Sequence, residues 1–294
     1  MNILALIKSA GVRNFAKLLS ANVVAQVIGL IVYPILTRIY APEDFGLLNL
    51  FLSISGVLVI LSTAEYYNAI VLPKNDKEGV GVFYLCVCIL FVVVGLTTLS
   101  VFFSDKLALL FNTPALANYY WLMPILVLVL GGWNILNYWY VRCARYSSIS
   151  RYQLSQSTFS AVTKIGFGHL GVLQGGMIYS IVLAPLISLI ISLVSLARDK
   201  MVSGWSRPSW NNIKHVAYRY YKFPLYTLPR SFVNMVAGQL PVLLLTPLYG
   251  SQYVGWWSMA LLLGFMPISM ITKSIYQVLY QYTTDRVNNN QPIG

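Results

Sequence analysis

Two apolar runs, residues 15–37 and 45–72, stand close together near the start of the chain. They hold 23 and 28 residues, and each carries one charged side chain, Lys17 in the first and Glu65 in the second. At 1.5 Å per residue, a helix of that length crosses a hydrocarbon layer of about 30 Å. The break between the runs, RIYAPEDFG, is short and polar. The pair therefore reads as a transmembrane hairpin, which commits the chain to spanning helices.

The spacing of that break recurs. Tyr40 and Gly46 mark it, and Tyr249 and Gly255 reproduce the separation after another apolar run and before one more. An offset of 209 residues superposes the two hairpins. That is the pattern of a transporter assembled from two parallel repeats.

Composition agrees: 57% of residues are hydrophobic and 10% charged, with a mean hydropathy of +0.68. An ordinary soluble globule is excluded. A net charge of +12 would suit nucleic acid. The basic residues, however, lie on no single amphipathic face and accompany no RNA-binding or helix-turn-helix motif, so nucleic acid is not an expected partner. Cys86 and Cys88 point in different directions from one apolar segment, and Cys143 sits at a membrane edge. With no His or carboxylate nearby, they read as packing residues rather than a metal, redox or disulfide site. Lys8, Arg13 and Lys17 ahead of the first run resemble a signal peptide. The run is too long for one and lacks a small-residue exit, so it is expected to remain as the first span.

Further apolar segments at 80–103, 119–141, 153–172 and 176–197 bring the number to six. Residues 198–222 are polar and basic, and segments at 223–247 and 253–278 repeat the opening hairpin. The expected fold is all-α and polytopic, with about eight transmembrane helices. It divides into a six-helix lobe over 1–197, a basic cytoplasmic linker over 198–222, and an incomplete two-helix lobe with a polar tail over 223–294. Six spans against two is unbalanced for a duplicated chain, and truncation at the C-terminus is the expected reason. Lys and Arg sort by alternate loops, fourteen to one side against Arg38 and Lys106 on the other. That asymmetry puts the N-terminus in the cytoplasm.

A charge at the centre of a span costs about 2.5 to 3.5 kcal/mol, so each one needs a reason. Lys164 lies deep in the fifth span, and Gln153, Ser157, Ser160 and Gly168 join it at three- and four-residue steps in one polar stripe. The stripe faces water or protein, which makes Lys164 either a cavity-lining cation or a structural one. Arg230 and Asn234 share a face of the seventh span, just after Pro224 and Pro229. Those prolines can open the helix and free carbonyls, while Arg230 is also placed to snorkel to the surface. Glu65 shares a face with Ser62 and Ser55 and is a candidate for ion coupling, for a local ion pair, or for a gate closed by Arg230 across the repeats. His169 reads as an interface residue before a proton relay. Asn22, Gln26 and Tyr33 mark a polar face on the first span, and Asn134, Asn137 and Tyr138 mark one on the fourth. Such amides join helices as often as they bind ligand. The candidate cavity set is Lys164, Arg230, Asn234, Ser160 and Gln26, with Glu65 for ion coupling or gating. No catalytic residue, metal ligand or cofactor is expected.

The string NVVAQVIGLIVYPILTRIYAPEDFGLLNLF resembles the first two helices of bacterial polysaccharide biosynthesis transporters. These are the O-antigen (Wzx-type) flippases of the multidrug/oligosaccharidyl-lipid/polysaccharide (MOP) exporter superfamily. The likeness extends to the basic linker and to the restart at FPLYTLPRSFVNMVAG. It implies a MATE-like pair of pseudo-symmetric bundles around a cavity that opens to each side in turn. The implied cargo is an oligosaccharide on undecaprenyl diphosphate, flipped across the bacterial inner membrane for O-antigen, capsule or exopolysaccharide. The implied partners are that glycolipid, the bilayer and other polysaccharide-assembly membrane proteins. Basic residues in the cavity would meet the anionic head group, and Lys164 and Arg230 hold the available positions. The resemblance implies twelve to fourteen helices, more than the eight counted here.

No phosphate-binding Gly-rich loop is present, so direct ATP hydrolysis is not expected. A small-molecule exporter would want acids deep in the first half, where only Glu65 stands. A membrane enzyme acting on lipid-linked sugars would want paired acids or a His in long external loops, where the sequence offers only Glu43, Asp44 and Asp105.

Overall fold

A computed structural model describes residues 10–198, 209–262, 264 and 268, with side chains from residue 20 onward and Gln174 excepted. The helices in order are α1 (Ala10–Ile39), α2 (Pro42–Leu61), α3 (Asp76–Ser100), α4 (Ser104–Leu110), α5 (Ala115–Tyr119) and α6 (Met123–Arg142). They continue with α7 (Tyr146–His169), α8 (Leu173–Arg198), α9 (Trp210–Arg219) and α10 (Leu228–Tyr249), and then α11, residues 251–262. Among the described residues there is no strand, and six helical segments are long and apolar enough to cross a membrane. The protein is an all-α polytopic membrane protein. Phe91, Val92, Leu96 and Phe102 stand exposed along α3 and its extension, as a surface that meets lipid requires.

Six rather than the expected eight has two causes. The fifth expected span, α7, has 24 residues, but its polar stripe leaves it short of the apolarity of the others. It packs between α1 and α8 instead of standing alone. The eighth is described only through α11 and two further positions. Its remainder and the polar tail lie outside the described residues, as do Lys8, Lys200 and Arg207.

The second span does not run to residue 72 as expected, because α2 stops at Leu61. Ala64 and Glu65 both take positive φ, 48° and 63°, and a 3-10 helix, Tyr66–Val71, follows. Two successive left-handed residues cannot continue a right-handed helix. At the other hairpin, Phe223–Thr227 forms a π-type turn before α10. Pro224 lies in it, and a residue without an N–H breaks the regular ladder there.

The core has two centres. One gathers Tyr33, Tyr40, Phe51, Met123, Ile178 and Val254 near the two Tyr-x5-Gly segments. The other gathers Cys86, Trp139, Tyr140, Tyr152, Leu189 and Val216 at the opposite end. There Arg142 donates to the carbonyls of Ile70 and Pro73 at 3.0 and 2.7 Å and pairs with Asp76 at 3.0 Å. α9 lies across the start of α3, where Asn212 donates to the Lys77 carbonyl and Arg219 pairs with Glu78 at 2.9 Å. Three of the segments that the charge count assigned to one side, at 70–78, at Arg142 and at 212–219, thus meet at one end of the bundle.

Candidate functional site

The two Tyr-x5-Gly segments touch. A Cβ on Gly46 would strike the Ser251 carbonyl, and one on Gly255 would strike the Pro42 carbonyl. Pro42 and Ser251 are themselves separated by the repeat offset, so the contact is reciprocal, residue for residue. Glycine is required because each backbone occupies the volume that a Cβ would fill. From this contact α2 and α10 run on together. The Ser53 hydroxyl donates to Gln239 Oε1 at 2.7 Å, and the Met235 side chain fills the space beside Gly56.

Tyr40 links that contact to the polar stripe. Its hydroxyl donates to the backbone carbonyl of Lys164 at 2.7 Å, and its ring is seated against Gly168 of α7 and Gly176 of α8. Beside it a cavity of about 300 Å³ lies between α1 and α7. Gln156, Ser157, Ser160 and Lys164 line it from α7, Gly29, Val32 and Tyr33 from α1, and Leu262 from the last position of α11. Among the described residues, Lys164 is the one charged side chain in that lining. A fixed ammonium in a half-open, partly polar cavity replaces the hydration an anion gives up on entering it.

The structure brings together part of the expected set. Ser160 and Lys164 both line the cavity. Gln26, one turn before Gly29 on α1, is half-buried and outside the lining. Arg230 and Asn234 are exposed on α10 and also stand outside it. Glu65 is not on a helix face with Ser55 and Ser62. It sits in the left-handed turn, 4% exposed, where Asn68 donates to Oε2 at 2.6 Å and the Tyr67 hydroxyl to Oε1 at 3.4 Å. Among the described residues no ion pair joins Glu65 to Arg230. His169 is exposed at the end of α7. Cys86 is buried and Cys88 exposed, and among the described residues no three His, Cys, Asp or Glu side chains assemble.

Sequence reasoning passed over Gln156, although it precedes Ser160 and Lys164 at steps of four. It also left Tyr40 as a spacing mark, where the structure makes its hydroxyl a partner of α7. Arg142 was counted only as a cytoplasmic charge, and nothing in its local sequence signals the carbonyls it reaches.

No curated protein and no solved structure matches the chain. A family model described as polysaccharide biosynthesis protein matches residues 35–293, from the first hairpin into the polar tail. The chain belongs to the polysaccharide biosynthesis protein family.

Proposed function

We propose that this protein flips undecaprenyl-diphosphate-linked oligosaccharide units across the bacterial inner membrane by alternating access, as a transporter and not as an enzyme. Its N-terminus is cytoplasmic in this reading, on the strength of the loop charge asymmetry. The observation that carries the proposal is the half-open cavity with Lys164 as the one charged side chain among the described residues that line it. At about 300 Å³ it suits a head group and not a whole oligosaccharide. Lys164 would therefore hold the diphosphate while the sugars occupy space opened by movement of the two repeats. The reciprocal contact of Gly46 and Gly255 supports a two-lobed arrangement, with one end of the bundle closed and the route open toward the other. Glu65, bonded to Asn68 and Tyr67 away from the cavity, gives a cation exporter little to use.

The test is reconstitution. Vesicles holding the protein and a fluorescent undecaprenyl-diphosphate glycan should lose lipid from the donor leaflet faster than protein-free vesicles. A rate equal to that of empty vesicles would refute the proposal.

A further inference from the structure

α9 presents two different faces. One is docked: Asn212 and Val216 pack on Gly81 of α3, the Tyr66 hydroxyl donates to the Ala217 carbonyl at 3.0 Å, and Arg219 pairs with Glu78. The other carries Trp210, Lys214 and Tyr218, with Tyr221 just past the helix end, all exposed and Tyr218 at 84%. On that face the Lys214 ammonium stands 5.9 Å from the centre of the Trp210 ring, and the rings of Tyr218 and Tyr221 lie 6.2 Å apart.

The depth of this face is fixed by its neighbours. α9 packs on the first turns of the apolar segment Asp76–Leu110, and three residues after Arg219 the chain enters the segment Phe223–Tyr249. A helix tied at both points lies at the level where hydrocarbon gives way to head groups. Trp and Tyr favour that level, and lysines beside them attract negative charge. Lys74, Lys77, Lys214 and Lys222 are all exposed at this end, whereas the exposed Asp76 is already paired with Arg142. The surplus is cationic.

We infer that the outer face of α9 and the short segment that follows it form a binding surface for the head groups of anionic phospholipids, with Trp210, Tyr218 and Tyr221 as anchors and Lys214 and Lys222 as phosphate contacts. The surface is independent of the Lys164 cavity and of what that cavity carries. Its docked face holds α9 to α3, so lipid engaged there acts on the segment that leads into the Phe223–Thr227 turn and α10.

The full chain tests this, with Cys86, Cys88 and Cys143 replaced by Ala and a bimane label on a single cysteine at position 218. It is reconstituted in phosphatidylcholine vesicles containing brominated phosphatidylcholine or brominated phosphatidylglycerol. A second label at position 91, on the lipid-exposed side of α3, reports correct insertion. Brominated phosphatidylglycerol should quench the label at 218 in preference to brominated phosphatidylcholine. Lys214→Gln should lower that preference about fivefold, and Lys214→Arg should keep it. With normal quenching at 91, equal quenching at 218 by the two lipids would overturn the proposal. So would no quenching at 218 by either, which would leave the face to water or a protein, or a preference that Lys214→Gln does not change.

Discussion

Gly46 and Gly255 each pack against the carbonyl four residues before the other, so at this point the two repeats meet backbone to backbone. Gly46→Ala should therefore cost about 1–3 kcal/mol, the usual range for overpacking, and Gly255→Ala a similar amount. Gly238 of α10, which has open space where a Cβ would go, is the control. Gly238→Ala should be neutral or stabilise by up to about 1 kcal/mol. Unfolding of the purified variants in detergent compares them, and equal effects at 46 and 238 would mean that the contact does not hold in the protein.

The Ser53–Gln239 hydrogen bond, at 2.7 Å, lies further along the same interface. Cysteines at 53 and 239, in a chain otherwise free of cysteine, should cross-link under mild oxidation without a denaturant. Failure to cross-link would show that α2 and α10 spend their time apart.

Arg142 and Asp76 are unequal partners. The arginine side chain is 11% exposed and the aspartate 92%, and the arginine also serves three carbonyls, those of Ile70, Pro73 and Asn75. Asp76→Asn should cost under about 1 kcal/mol, as exposed ion pairs do. Arg142→Ala should cost about 2–4 kcal/mol, because it strands acceptors served by a charged donor. Equal losses would contradict the placement of Arg142 between the 3-10 helix and α3.

Glu65 is bonded to Asn68 and Tyr67 rather than to Arg230. A double-mutant cycle on stability with Glu65→Gln and Arg230→Gln should therefore show coupling below about 0.5 kcal/mol. A larger coupling would support the gate read from the sequence.

Much of this was legible because periodicity and spacing are local signals of geometry. The Tyr-x5-Gly repeat named the two segments that touch, and the steps of three and four placed Ser160 and Lys164 on the face that lines the cavity. Glu65 was misplaced for a physical reason. Hydropathy records transfer to lipid and not backbone conformation, and the 3-10 helix Tyr66–Val71 holds no charge, Gly or Pro to set it apart from the apolar run before it. Arg230 and Asn234 shared a helical face as expected, but a shared face does not say what it looks toward, and theirs is exposed. Arg142 depends on carbonyls some seventy residues away in sequence, which no window along the chain contains.

Lys164 is the point at which fold, cavity and proposed cargo meet. Its carbonyl is held by Tyr40 and its side chain lines the cavity. Leaflet-to-leaflet movement of a labelled undecaprenyl-diphosphate glycan should be measured in vesicles holding equal amounts of wild-type, Lys164→Ala and Lys164→Arg protein. Losing one charge-assisted contact to a phosphate should slow the Ala variant about tenfold or more, with membrane insertion unchanged and with Arg recovering part of the rate. An Ala variant that moves the glycolipid as fast as the wild type would contradict the assignment of Lys164 to the cargo path.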